Sequence, residues 1–319
     1  MTLPASGTIV SYPAGRLSGD ATVLHSQTLD DGRLAVLLDT TPCHPVDAGW
    51  PDQGPDRAVI RVRGCAGQGA AGTSGAGLSG GGQVEWPVLD CVVAATDGAE
   101  LAIGAAIPVR KGTEGWAFVV AHLLPAEARL AEGTAVEVSV DADYRAALDA
   151  GHTGCHLASL ALNRAMAGRW NKETRADALG QPDFDAAAIA SSTITEYGSV
   201  DVFRLNKSLR RKGFGTDGLV EDLPAITEAI NATLAGWVAG GAPVRIDRDG
   251  ERLTDRRYWV ASLPDGEASI PCGGTHLASL AELAGLAVSF TAADADGTTV
   301  LRMVTRTGIA AGNLPLPPR

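Results

Sequence analysis

The chain has 319 residues, 45% of them hydrophobic, and a formal net charge of −11 at neutral pH. That length suits two domains with cores of their own, and the acidic balance excludes nucleic-acid binding through bulk electrostatics while leaving room for a local basic patch. No stretch approaches the roughly 18 apolar residues of a membrane span. The first residues lack the basic and apolar regions of a secretion signal, and the five scattered cysteines form no secreted disulfide framework, so a cytoplasmic location is expected.

The first part of the chain reads as β structure. Short apolar runs at 7–10, 34–38, 58–62, 88–93, 101–103 and 117–120 are separated by Gly, Pro and Asp turns at the spacing of a small barrel. An N-terminal antiparallel β-barrel domain over 1–135 is therefore expected. Its segment 64–82 is almost entirely Gly, Ala and Ser, too poor in side-chain area to offset ordering entropy, and reads as a loop.

After Val140 the pattern turns helical. Asp141 or Asp143 can cap a helix that runs through Tyr144, Leu148 and His152 to Met166, with Gly168 near its stop. A second helix is predicted from Leu223-Pro224 to about Val238, where Ile226, Ile230, Leu234 and Val238 recur every four residues and Gly240-Gly241 ends the run. Strands are expected at 200–203, 244–246, 259–261 and 300–304. Residues 136–319 thus form an α+β domain.

Half of the six histidines fall in two short segments, Gly151-His152-Thr153-Gly154-Cys155-His156 and Cys272-Gly273-Gly274-Thr275-His276. His152 and His156, at i and i+4 of one helix, present their imidazoles on one face a turn apart. Cys272 and His276 add a thiolate and a third imidazole, and the glycines between them let the backbone bend both toward one ion. One sulfur and three nitrogens suit zinc. Cys155, beside His156, is explained as a small buried helix residue.

These segments resemble the editing domain of alanyl-tRNA synthetase and its free-standing relatives, the AlaX-type trans-editing proteins. The likeness is carried by Asp141-Ala142-Asp143-Tyr144-Arg145 leading into His152-Thr153-Gly154-Cys155-His156, by Cys272-Gly273-Gly274-Thr275-His276, and by Asp39-Thr40-Thr41-Pro42-Cys43-His44-Pro45. They fall in the family's order, so the resemblance spans most of the chain. It implies a zinc-dependent aminoacyl-tRNA hydrolase acting on the acceptor end of mischarged tRNA, by default seryl- or glycyl-tRNA for alanine.

One position departs from the family. Its Gly-Gly-Gln-Pro run corresponds here to Ala48-Gly49-Trp50-Pro51, so an indole stands where a polar amide is expected. Gly80-Gly81-Gly82-Gln83 lacks the following proline and is read as coincidence. Trp50 therefore raises a second enzymatic reading, a deacylase for a threonine-like or non-proteinogenic residue such as fluorothreonine on tRNA.

Within the enzymatic reading, His44 is the candidate catalytic helper outside the metal set, and Thr40, Thr41 and Trp50 are the candidate amino-acid pocket. The acid-free basic segment 203–213 offers Arg204, Lys207, Arg210, Arg211 and Lys212 to tRNA phosphates. No Gly-rich nucleotide loop follows a strand, so no ATP is expected. A reading of another class is a non-catalytic zinc module that binds RNA. A zinc peptidase is disfavoured, because the His pair lacks the His-Glu-x-x-His glutamate.

Overall fold

A computed structural model describes residues 3–63 and 84–309. The Gly-rich segment 64–82, with Cys65, and the Gly80–Gln83 run lie outside the described residues. The chain divides into two compact units: 1–51, 55–142 and 250–255 form the first, while 52–54, 143–249 and 256–319 form the second. Each unit thus borrows a short piece from the other's stretch of sequence.

The first unit contains β1 (Ile9–Val10), β2 (Ser18–Thr28), β3 (Leu34–Leu38), β4 (Thr40–Thr41), β5 (Ala58–Val62), β6 (Glu85–Val88), β7 (Asp90–Thr96), β8 (Leu101–Ile103), β9 (Ala117–Leu124) and β10 (Ala135–Val140). β1 pairs in parallel with β4. The other eight strands form one antiparallel sheet in the order β6-β5-β10-β2-β3-β9-β7-β8, curled into a half-barrel. The expected antiparallel barrel is present in part: this order leaves β6 and β8 as free edges among the described residues, so the sheet curls only half-way round. Both have the character of edge strands: β8 is only three residues long, and β6 carries Pro87, which has no N–H to give a further neighbour. Near the middle, β3 and β9 are buried throughout. Alternation sends Val36, Leu38, Val120 and Leu124 into the larger core and Ala35, Leu37, Val119 and Ala121 into a smaller one on the opposite face.

The second unit begins with α1 (Ala142–Met166), followed by α2 (Phe184–Ala188), β11 (Ile189–Thr195), β12 (Gly198–Arg204), α3 (Lys207–Arg211), α4 (Leu219–Gly240), β13 (Val244–Arg248), β14 (Arg257–Leu263), β15 (Gly266–Pro271), β16 (Leu283–Ala295) and β17 (Thr298–Ile309). Two antiparallel sheets result, β11-β12-β17-β16 and β13-β14-β15. The class is α+β, with sheet predominating.

α1 follows its predicted span to Met166. α4 begins one turn before its predicted start, because Pro224 lies inside the helix rather than opening it. Glu221 and Asp222 occupy that extra turn, where the free N–H groups favour negative charge. At the other end Gly241 adopts the left-handed conformation, φ 59°, and returns its N–H to the Val238 carbonyl, closing the helix as the glycine pair predicted. Leu157, Leu160 and Leu162 of α1 share one core with Ile226, Ile230, Leu234 and Trp237 of α4 and with Phe203, Leu301 and Met303 of the sheet. Asn231 fastens α4 to β16 by a two-way amide clamp on Val288, donating to its carbonyl at 3.1 Å and accepting from its N–H at 2.7 Å. None of the described helices is long and apolar enough to cross a membrane.

Candidate metal centre

The buried face of α1 carries His152, and His156 follows one turn later. Cys272 and His276 come from the turn after β15. The donor atoms of all four lie within 4.8 Å of one another. Cys272 Sγ is 3.4 Å from His152 Nε2 and 3.3 Å from His276 Nε2. Donors bound tetrahedrally to zinc stand about 3.3–3.7 Å apart, as follows from metal–ligand bonds of about 2.0–2.3 Å.

The protonation of His152 follows from one backbone group. Thr275 N–H can only donate, and it meets the Gln53 side-chain oxygen at 3.1 Å, while the Gln53 amide nitrogen donates to Thr275 Oγ1 at 2.8 Å. The Gln53 oxygen, so oriented, lies 2.7 Å from His152 Nδ1, which must therefore carry the proton. The Nε2 lone pair is left facing Cys272. This is the outer arrangement that fixes metal-binding imidazoles. On the other side of the site, Thr153 Oγ1 accepts from Leu277 N–H at 3.1 Å and lies 3.4 Å from His276 Nδ1.

His156 supplies an independent test of fit. Its Nε2 is sealed from solvent and has no hydrogen-bond partner, which is costly for a buried polar atom unless something else takes its lone pair. Burial pushes His156 down to about 4, so the ring is neutral at neutral pH. Burial also pushes the Cys272 thiol up to about 12, opposed by the Gly274 backbone N–H and reinforced by the Asp52 carboxylate. A divalent cation reverses that preference by displacing the thiol proton. The donors match a soft or borderline ion such as zinc.

Gly274 is required by packing. A Cβ there would fall 2.4 Å from His152 Cε1 and 2.5 Å from both His152 Nδ1 and the Gln53 oxygen. The bend between Cys272 and His276 is thus pressed against the very imidazole it helps to surround.

Three contributors carry no signal in the motif spacing. Gln53 and Asp52 belong to the three-residue piece of chain that joins the second unit, held there by Ile194 N–H donating to the Asp52 carbonyl at 2.7 Å. Asp52 Oδ2 is 3.9 Å from His152 Nε2. Thr153 sits inside the His pair, yet its spacing matches neither ligand. Cys155 points elsewhere, toward Asp201 and Ser192 at 3.7 and 3.9 Å, and its thiol is raised by burial and by the Asp201 charge.

Among the other singled-out residues, Thr41 is buried, and its hydroxyl lies 2.8 Å from His122 Nε2 while accepting Cys43 N–H at 3.1 Å. Thr40 is half-buried beside it in β4. His44 is buried with its ring edge-on to Tyr12 at 5.1 Å, and its backbone N–H donates to Asp56. Trp50 is 58% exposed. Arg204 ends β12, Lys207, Arg210 and Arg211 lie on α3, and Lys212 follows it; all five are exposed. Comparison of the chain with protein-family models gave no match, and comparison with curated proteins gave none.

Proposed function

We propose that the chain is a trans-acting aminoacyl-tRNA deacylase that holds zinc at His152, His156, Cys272 and His276 and hydrolyses the ester of mischarged tRNA. The observation carrying this reading is the convergence of both short segments on one donor set, in the order and with the residue types of the alanyl-tRNA editing domain they resemble. When bound, zinc would polarise the ester or lower the pKa of a water. The chain's own groups do the rest. Gln53 holds His152 in the ligating tautomer, and Asp52, with its carboxylate at the edge of the donor set, is placed to accept a proton from a water.

The substrate assigned by this reading is seryl- or glycyl-tRNA for alanine. The indole of Trp50, exposed where the family has an amide, favours the second reading, a threonine-like residue such as fluorothreonine. A panel of mischarged tRNAs, with metal analysis on the same protein sample, distinguishes them. Release of serine or glycine from alanine tRNA by zinc-containing protein is the expected result. Selective release of a threonine-like residue would move the assignment to the second reading. Zinc without any turnover would leave the RNA-binding module, a reading favoured by the fact that four protein ligands already complete a tetrahedron.

The exposed segment around α3 is proposed as the tRNA contact. Among the described residues, Arg204, Lys207, Arg210, Arg211 and Lys212 form no ion pair with a carboxylate. Reversing Arg210, Arg211 and Lys212 to Glu should weaken tRNA binding and reduce the slope of log affinity against log salt by roughly 2. Filter binding across a salt series checks this, and an unchanged slope would remove the segment from the interface.

A further inference from the structure

Among the described residues a second group of metal-ligating side chains is drawn together, in the core of the first unit. Cys43, Cys91 and His122 are each 0% exposed, with donor atoms within 4.8 Å of one another. Cys91 on β7 and His122 on β9 are direct cross-strand partners, so their side chains stand on the same face of the sheet. Cys43 reaches them from the segment after β4, which is tied to β7 by Val46 N–H on the Cys91 carbonyl at 2.8 Å and Val93 N–H on the Val46 carbonyl at 3.0 Å.

The imidazole is already in a ligating form. His122 Nδ1 lies 3.2 Å from the Val36 carbonyl, which can only accept, so Nδ1 carries the proton and Nε2 the lone pair. The Thr41 hydroxyl, 2.8 Å away, donates to that lone pair. A backbone carbonyl behind Nδ1 is the support that metal-bound histidines commonly use.

We propose that Cys43, Cys91 and His122 form a second binding site for a soft divalent d10 ion, zinc being the natural occupant, separate from the His152 centre. Two thiolates and a neutral imidazole balance a double positive charge, giving a neutral complex that a dry core tolerates. A cuprous ion would leave a net negative charge there. On binding, two S–H bonds give way to two metal–sulfur bonds and two protons pass to solvent, with no change in oxidation state. The ion takes the Nε2 lone pair, and the Thr41 hydroxyl turns its proton away. Because the cluster is sealed, the ion enters as the chain folds. It then pins the segment that leads to His44 and Trp50 onto β7 and β9.

The test is metal content of the full chain produced in zinc-supplemented medium. Two ions per wild-type chain are expected, and one in Cys43→Ser or Cys91→Ser. Should those variants fold poorly, wild-type chain produced with cadmium serves instead: its ultraviolet thiolate-to-cadmium absorption should be threefold that of a single Cd–S bond, counting Cys272. One ion per wild-type chain with single-bond cadmium intensity would overturn the proposal. So would recovery of a Cys43–Cys91 disulfide from protein whose free thiols were blocked at lysis, or uptake of cuprous ion in place of cadmium and zinc.

Discussion

Gly274→Ala should cost about 10- to 100-fold in zinc affinity at the His152 centre, and deacylation should fall with it. The added methyl would sit 2.4 Å from His152 Cε1 and 2.5 Å from the Gln53 oxygen, distances no real Cβ tolerates. His152 cannot retreat cheaply, since it is buried on α1 and hydrogen-bonded to Gln53 at 2.7 Å. If the bend yields instead, it withdraws Cys272 and His276 together, and if Gln53 yields, the tautomer of His152 is no longer fixed. Gly273→Ala is the matched control, because a Cβ there meets nothing within 4 Å. Competition against a chromophoric chelator gives both affinities. Equal zinc binding by the two variants would show that the bend is not packed against His152 as described.

His156→Leu is expected to act with opposite signs on the metal-free and the zinc-loaded protein. Without metal, the sealed and unpartnered Nε2 of the wild type costs about 1–3 kcal/mol, a cost that leucine removes. Metal-free His156→Leu should therefore unfold at higher denaturant than metal-free wild type, by about 1–2 kcal/mol once imperfect filling of the site is allowed for. In the wild type, zinc at about 1,000 times its dissociation constant should add about 4 kcal/mol. In His156→Leu the share of that increment owed to the His152 centre should largely vanish, leaving only what the Cys43 cluster contributes. Urea unfolding of both proteins, with zinc and with a chelator, checks the crossing. A zinc increment of equal size in both would exclude His156 from the donor set, and a less stable metal-free variant would mean that the imidazole packs as an ordinary core residue.

The parts of this molecule that can be read from the sequence are those written in local spacing. The i, i+4 pair of α1 and the Cys272–His276 turn carry their geometry within five residues, so both halves of the donor set are legible in the chain itself. Strand positions such as 34–38 and 58–62 are equally local. Sheet closure is not, because it depends on which strands become edges, and here that turns on the shortness of β8 and on Pro87 in β6. Gln53 is hidden for another reason. A single amide in a loop has no period, and its partner Thr275 is far away in sequence, so nothing local couples them. Cys43, Cys91 and His122 come from three separate segments and meet only once β7 and β9 have paired.

The short piece 52–54 belongs to the second unit although its flanks belong to the first. During synthesis Gln53 leaves the ribosome long before Cys272 and His276, so the group that sets the protonation of His152 is waiting when the last ligands arrive. A fragment cut to begin at Asp143 keeps all four ligands and loses that group. In such a fragment the His152 imidazole would distribute its proton between two nitrogens, and the affinity for the ion would become a property of a residue the fragment no longer contains.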